Sequence, residues 1–287
     1  MSFQIDESTM IPIEPGQAVR RGWGDLGGAV GVTMHWAVTQ TVELCTRIIG
    51  GANALRKGQA SAHYCIGRSL AEGTAQYVSL ENRSFHSQAG QTLRWTGEHM
   101  RSRQFSGINT TIGIETAHMG FATPQEIAAG QFTVAAAPNG VPMDVQLWTD
   151  EQIEMIIAIG KEIVARFPRI QPRDWHGHHD VAPSRKIDVS GFPFARVLRG
   201  VYDDNSIPDV WTTLWDVTAR QKTLIALGHP LPQFGADGDW GGESRRALKA
   251  FQLKNDMVAN SFWSTFTNWK IHDLLQAQGM TIEDAVA

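Results

Sequence analysis

The chain predicts an α/β fold, a mixed central sheet flanked by helices, joined to a small C-terminal three-helix bundle. Three observations predict it. Short apolar-alternating segments of strand length recur through the first two thirds and are interleaved with stretches of helical period, the arrangement of an α/β domain. A turn-rich stretch at residues 203–208, Asp-Asp-Asn-Ser-Ile-Pro, then sets apart a final region of about 75 residues. That final region contains helical patterns alone.

In chain order, strands are expected at residues 30–35, 62–66, 75–78 and 111–115. In the last of these Ile112 and Ile114 face one way while Thr111, Gly113 and Glu115 face the other, so the Glu115 carboxylate ends a strand on its polar side. Residues 84–109, with Trp95, His99, Arg101 and Arg103, read as a long loop, and residues 121–145, rich in Ala, Gly and Pro, read as a second. Loops of such length are usually functional, and both are expected at the rim of a cleft. Thr149-Asp150-Glu151-Gln152 has the form of a capping box. Behind it Ile153, Ile156, Ile157, Ile163, Val164 and Phe167 form one apolar helical face that Pro168 closes. In the last region helices are expected at 218–227, 243–253 and 263–275, with a tight Gly-rich loop at 235–242. The division is therefore 1–205 and 210–287.

At 287 residues and 42% hydrophobic, the chain has material for about two domains. A net charge of −4 and a pI near 6.2 argue against a broad electrostatic grip on nucleic acid or anionic lipid. No run of about 18 apolar residues marks a membrane span. The first residues lack a secretory pattern, so cytosolic residence before release is expected. Cys45 and Cys65 are expected as two buried, reduced thiols.

The densest chemistry lies at residues 177–188, Gly-His-His-Asp-Val-Ala-Pro-Ser-Arg-Lys-Ile-Asp. Imidazoles, carboxylates and a lysine surround a proline-stiffened loop there. His35, interrupting the apolar run at 30–36, is the best outside donor, and two histidines with one carboxylate form a set suited to catalytic zinc. Such an ion activates water and polarises a carbonyl, which makes amide hydrolysis the leading reaction. Glu115 at its strand end is placed for general-base duty, and Lys186 for steadying an oxyanion. His63 and His86 stand at strand edges, where lining a cleft and filling a structural niche are equally open. No His-Glu-x-x-His helix is present.

Taken together, Met34-His35, Ser61-Ala62-His63-Tyr64, Phe85-His86, Ile112-Gly113-Ile114-Glu115 and Gly177-His178-x-Asp180-x-Ala182-Pro183-x-Arg185-Lys186-x-Asp188 resemble, in order, the zinc-dependent N-acetylmuramoyl-L-alanine amidases of type 2. The resemblance spans roughly residues 25–195. It implies zinc held by His35, His178 and Asp188, with Glu115 and Lys186 as the catalytic pair and His179 and Asp180 as neighbours. It also implies contacts to the muropeptide from His63 and His86. Asp237-Gly238-x-Trp240-Gly241 followed by Ser244-x-x-Ala247-Leu248-x-x-Phe251-Gln252 resembles a three-helix peptidoglycan-binding module, although its later Asp-Gly turn is replaced at 259–263. The activity implied is cleavage of the amide between N-acetylmuramic acid and L-alanine of peptidoglycan, foremost as a phage endolysin. A recycling or delivered amidase and a non-cutting peptidoglycan recognition protein are the rivals. Peptidoglycan is the one partner expected, with no protein partner.

Overall fold

The computed structural model describes residues 3–87 and 110–287, together with the short strands Thr92–Arg94 and Gln104–Ser106. Those two strands pair antiparallel inside the stretch expected as the first loop. Trp95, His99, Arg101 and Arg103 lie outside the described residues.

A six-stranded mixed sheet forms the centre, in the order Ile5–Asp6, Thr74–Gln76, Tyr64–Ile66, Ile112–Thr116, Val32–Met34, Trp175–Gly177. The last four strands run parallel to one another, and only the pairing of Tyr64–Ile66 with Thr74–Gln76 is antiparallel. Side chains alternate between two apolar layers, as the pleat requires. Tyr64, Ile66, Ile112, Ile114, Val32 and Met34 enter the main core beneath the helix Asp150–Arg166. Cys65 and Ala75 face the opposite side, against Cys45 and Ile49 of the helix Val42–Ile49. Both cysteines are buried free thiols.

The long helix begins as its sequence indicates, with Thr149 Oγ1 accepting from the Gln152 amide at 3.1 Å. Only that half of the capping box forms. The Gln152 side chain turns inward and donates to the carbonyls of Ile66 and Ala117, joining the helix to two strand ends. Against this helix lies a second, Phe194–Tyr202, where Gly160 leaves room for Val201 and Trp175.

Residues 121–145 are not a loop. Thr123 and Glu126 form a reciprocal capping box on the short helix Pro124–Ala128, and Phe132–Ala136 pairs antiparallel with Pro142–Gln146. Ala135, Ala136 and Ala137 are buried at the turn end of this hairpin, so small residues replace the large apolar ones whose alternation marks a strand. The hairpin is built to be overlaid by the C-terminal region.

That region contains the helices Val217–Ala226, Gly242–Lys254 and Thr265–Ala277, with shorter helices Val210–Thr213 and Ile282–Val286 at its ends. Its apolar residues belong to the same continuous core as the sheet. Arg220, 4% exposed, donates to the carbonyls of Leu214, Ala136 and Ala137 at 2.7–2.9 Å while stacking over Trp263. Trp263 N donates to Pro138 O, and Trp240 packs on Gly140 at the hairpin turn. No helix among the described residues is long and apolar enough to cross a membrane.

Gly140 has φ +85° and a Cβ there would lie 1.9 Å from Trp240 Cγ. Gly140→Ala therefore combines left-handed strain with overpacking and is expected to destabilise the protein by on the order of 3 kcal/mol. Gly130, at φ +67° with open space around it, supplies the comparison, and Gly130→Ala should show the strain alone, about 1–2 kcal/mol. Urea unfolding of both variants checks the difference.

Candidate metal centre and active site

Strand register places the first three groups of the site. Met34 pairs with Ile114 on one side and with Gly177 on the other. The next residue along each parallel strand direction is His35, Glu115 and His178, so these three side chains stand level at the C-terminal edge of the sheet. The carboxyl edge is where open α/β sheets place ligands.

His178 opens a single helical turn, His178–Val181, and the chain then returns through Ala182, Pro183 and Lys186 to Asp188. Backbone bonds close this excursion: His179 N donates to Asp188 O at 2.6 Å and Lys186 N to Ala182 O at 2.8 Å. Asp188 is thereby brought beside His178. Nδ1 of His35 and Nδ1 of His178 are 2.9 Å apart, Asp188 Oδ2 is 3.0 Å from the latter and 3.4 Å from the former. The three residues are 1%, 5% and 4% exposed, so water does not separate them.

Glu115 Oε1 lies 3.9 Å from His35 Nδ1, and its Oε2 is buried without a hydrogen-bond partner among the described residues. Burial raises its pKa above the ordinary carboxyl range, against the pull of His35, Lys186 and Arg56. Lys186 Nζ stands 4.0 Å from Asp188 Oδ1, at the more open side of the cluster. Burial also acts on Asp188, yet the adjoining His178 and His35 more than offset it and hold this carboxyl below its usual range.

The donor set fits a divalent ion. Bonds of ~2.0–2.2 Å to a four-coordinate centre give donor–donor edges of roughly 3.3 Å, close to the observed triangle. Two imidazole nitrogens and a carboxylate oxygen aimed at one point otherwise have only shared protons to hold them together. Nε2 of His178 carries no hydrogen bond among the described residues, so nothing prevents it from being the protonated nitrogen while Nδ1 offers its lone pair.

His179 and Asp180 stand outside this triangle. Asp180, 2% exposed, accepts from Gly177 N on one oxygen and from Thr265 N on the other, both at 2.8 Å, and sits 3.2 Å from His179 Nε2. It therefore joins the ligand-bearing turn to the first residue of a C-terminal helix. His63 is fully enclosed, stacked on Trp23, with Nδ1 accepting from Gly113 N and Nε2 meeting Asn82 O. His86 is 7% exposed and lies behind His35, 3.0 Å from its Nε2. The structure thus brings together His35, His178, Asp188, Glu115 and Lys186, and sets His63 and His86 in the wall behind them. The Asp180 bridge went unread in the sequence, since nothing at Thr265 marks its amide as a donor to a residue 85 positions away.

Two imidazoles and an aspartate closing on one point, with an elevated carboxyl alongside and a lysine at the mouth, define the class as a candidate metallohydrolase. Residues 29–191 match the family model for N-acetylmuramoyl-L-alanine amidase, more than half of the chain. The chain belongs to that family. Over 51 residues it is 41% identical to the N-acetylmuramoyl-L-alanine amidase CwlL of Bacillus licheniformis, a match spanning 18% of this chain but only 14% of that relative. Similar solved structures include the N-acetylmuramyl-L-alanine amidase AmiD from E. coli in complex with anhydro-N-acetylmuramic acid-L-Ala-D-gamma-Glu-L-Lys, at 20% identity and TM-score 0.49, covering 88% of this chain and 91% of that one. AmpDH3 from Pseudomonas aeruginosa in complex with anhydromuramic pentapeptide is similar at 18% identity and TM-score 0.47, covering 98% and 100%.

Thr265→Pro tests the Asp180 bridge. Position 265 is the first residue of its helix, where proline is favoured, and Ser264 already has the extended backbone (φ −141°, ψ 160°) that a following proline demands. The substitution removes one N–H and leaves a buried carboxylate oxygen short of a donor. A loss of about 1–3 kcal/mol in denaturant unfolding is expected, with Thr265→Val, which keeps the amide, nearer to wild type.

Proposed function

We propose that this chain is a zinc-dependent N-acetylmuramoyl-L-alanine amidase that hydrolyses the amide between N-acetylmuramic acid and the L-alanine of the peptidoglycan stem. The observation that carries the reading is the convergence of His35, His178 and Asp188 beside Glu115 in a chain of this family. His35 and His178 through Nδ1, and Asp188 through Oδ2, are the groups that would hold the ion. When bound, zinc supplies Lewis acidity, polarising a carbonyl and lowering the pKa of water from ~15.7 toward ~7.

The chain's own groups account for the proton movements. Glu115, with its pKa raised by burial, is a stronger base than a solvated carboxylate, so it accepts a proton from the attacking water. The same group, now protonated, delivers that proton to the departing alanine nitrogen, which must leave as an amine. Lys186 opposes the negative charge that develops on the scissile carbonyl oxygen. The buried walls around His35 and Asp188 exclude bulk solvent, which strengthens these interactions.

Residues 210–287 are proposed as the wall-binding unit, supported by the Asp237-Gly238-x-Trp240-Gly241 turn and the helix Gly242–Lys254 that follows it. A catalytic unit joined to such a unit suits an enzyme acting on assembled wall, and a phage endolysin is the role we assign.

The test is digestion of purified sacculi and of a soluble muropeptide, read as newly freed N-terminal alanine by mass spectrometry, with zinc content measured in parallel. A chelator should abolish release and added zinc should restore it. Glu115→Gln is expected to keep zinc while losing about 10²–10⁴-fold in rate, whereas His178→Ala loses both. Equal alanine release by wild type and His178→Ala would overturn the assignment. Sacculus binding with no release would instead identify a recognition protein.

A further inference from the structure

We propose that His86 is a positioning residue for the metal centre: it sets the tautomer and orientation of His35 through a relay that ends on the Thr111 carbonyl, and Gly113 is glycine to admit its ring. The inference rests on the metal-site reading above and gives His86 a role other than substrate contact.

The relay follows from donor and acceptor chemistry. His86 Nε2 lies 3.1 Å from the Thr111 carbonyl oxygen, which can only accept, and 3.3 Å from Thr111 Oγ1, whose own proton can go to Thr33 Oγ1 at 2.9 Å, so a proton on Nε2 satisfies both contacts. His86 is 7% exposed and its ring nitrogens meet an imidazole and a carbonyl rather than a carboxylate, so a charge on this buried ring would go uncompensated and the ring is taken as neutral. A neutral ring protonated at Nε2 has a lone pair at Nδ1. That atom is 3.0 Å from His35 Nε2, so His35 Nε2 must donate, and the remaining lone pair of His35 is at Nδ1. Nδ1 is the atom that faces His178 and Asp188. Metal-bound histidines commonly give their second N–H to a carboxylate or carbonyl. Here a second imidazole transmits the carbonyl's demand.

Gly113 makes the relay possible. A Cβ at this position would lie 2.3 Å from His86 Cγ and 2.6 Å from its Cβ and Cδ2, so the ring lies directly against the strand backbone. Glycine inside a strand is otherwise unfavourable, and it commonly marks a place where another group approaches closely. The two rings meet edge to face, with centroids 5.2 Å apart, which fixes the plane of His35 as well as its protonation. With Nδ1 engaged by His35 and Nε2 by Thr111, His86 retains no polar atom to offer a muropeptide.

Long-range ¹H–¹⁵N correlation on the intact chain reads the tautomers directly. His86 and His35 are both expected as Nε2–H forms. A Nδ1–H form of His86 would refute the relay without any variant having to fold. Zinc affinity by competition with a chromophoric chelator, and the absorption spectrum of the Co²⁺ form, provide the second readout. His86→Leu should lose about 10–100-fold in affinity, Gly113→Ala should follow it, and His86→Asn, whose Oδ1 can accept from His35, should recover most of the loss. KM of the zinc-saturated variants for a soluble muropeptide should stay near wild type. Wild-type metal affinity with a raised KM in His86→Leu would overturn the proposal in favour of substrate contact. If wild type and His178→Ala bind zinc equally, the metal-site reading falls and the relay with it. Reduced affinity in His178→Ala alone, with His86→Leu unchanged, removes only the relay.

Discussion

Parallel pairing among Ile112–Thr116, Val32–Met34 and Trp175–Gly177 is the constraint on which the site depends. Each strand contributes one polar side chain immediately beyond the residues it pairs within this trio, and register alone brings Glu115, His35 and His178 level. A one-residue slip of any strand would move its polar group to the opposite face and place an apolar residue among the ligands. The apolar layers above and below oppose such slips. Val32, Met34, Ile112 and Ile114 are each fully buried on the side facing the long helix, so a slip would also strip that core. The packing that stabilises the sheet is thus what aligns the chemistry.

Asp188 is the exception, because no strand carries it. Its position depends on the return of the chain after His178, where the His179 amide and the Asp180 carboxylate are paired inward. The His179 amide bonds to the Asp188 carbonyl, while Asp180 takes the Gly177 amide and reaches out to Thr265. Buried carboxylates need such partners, since desolvation disfavours the charged form. Asp180 is satisfied by two amides and an imidazole, leaving Asp188 Oδ2 as the carboxylate oxygen turned toward His35 and His178. This division of labour explains why two aspartates occur within one short loop. One anchors, and the other is free to bind.

Much of the architecture was legible in the sequence because period and composition spoke directly. Alternation around Ile112 and Ile114 put Glu115 on the polar face, and the apolar stripe behind Thr149 marked the long helix. Residue types alone left the choice between His178 and His179 open, because a short turn does not reveal which imidazole faces inward; that depends on Gly177 pairing with Met34. The hairpin at 132–146 escaped notice since Ala135, Ala136 and Ala137 show no apolar contrast, their burial being supplied by the C-terminal region. His63 and His86 stood at strand edges in the sequence, where a cleft and an interior niche look alike. Gly113 was the available signal, a glycine within a strand beside a histidine-rich set.

The same inward pairing bears on how the two ends of the chain cooperate. Asp180 receives the Thr265 amide, Arg173 grips Asp273 with both terminal guanidinium nitrogens while lying over Trp269, and Arg220 holds the turn end of the hairpin. A flexible linker gives a tethered pair an effective concentration that depends on linker length, and it allows many relative orientations. Here Trp211, Trp240, Trp263 and Trp269 belong to the same core as the sheet, so the C-terminal helices have no such freedom. Under the proposed function, simultaneous engagement of cleft and wall-binding surface is a question of fixed geometry. A glycan strand that matches the span between them gains from both contacts, and one that does not match gains from neither together. Under that function the shared core would bear on substrate selection as well as on stability, because the helices that cover the hairpin's turn end are held in one core with the strands that carry His35 and Glu115.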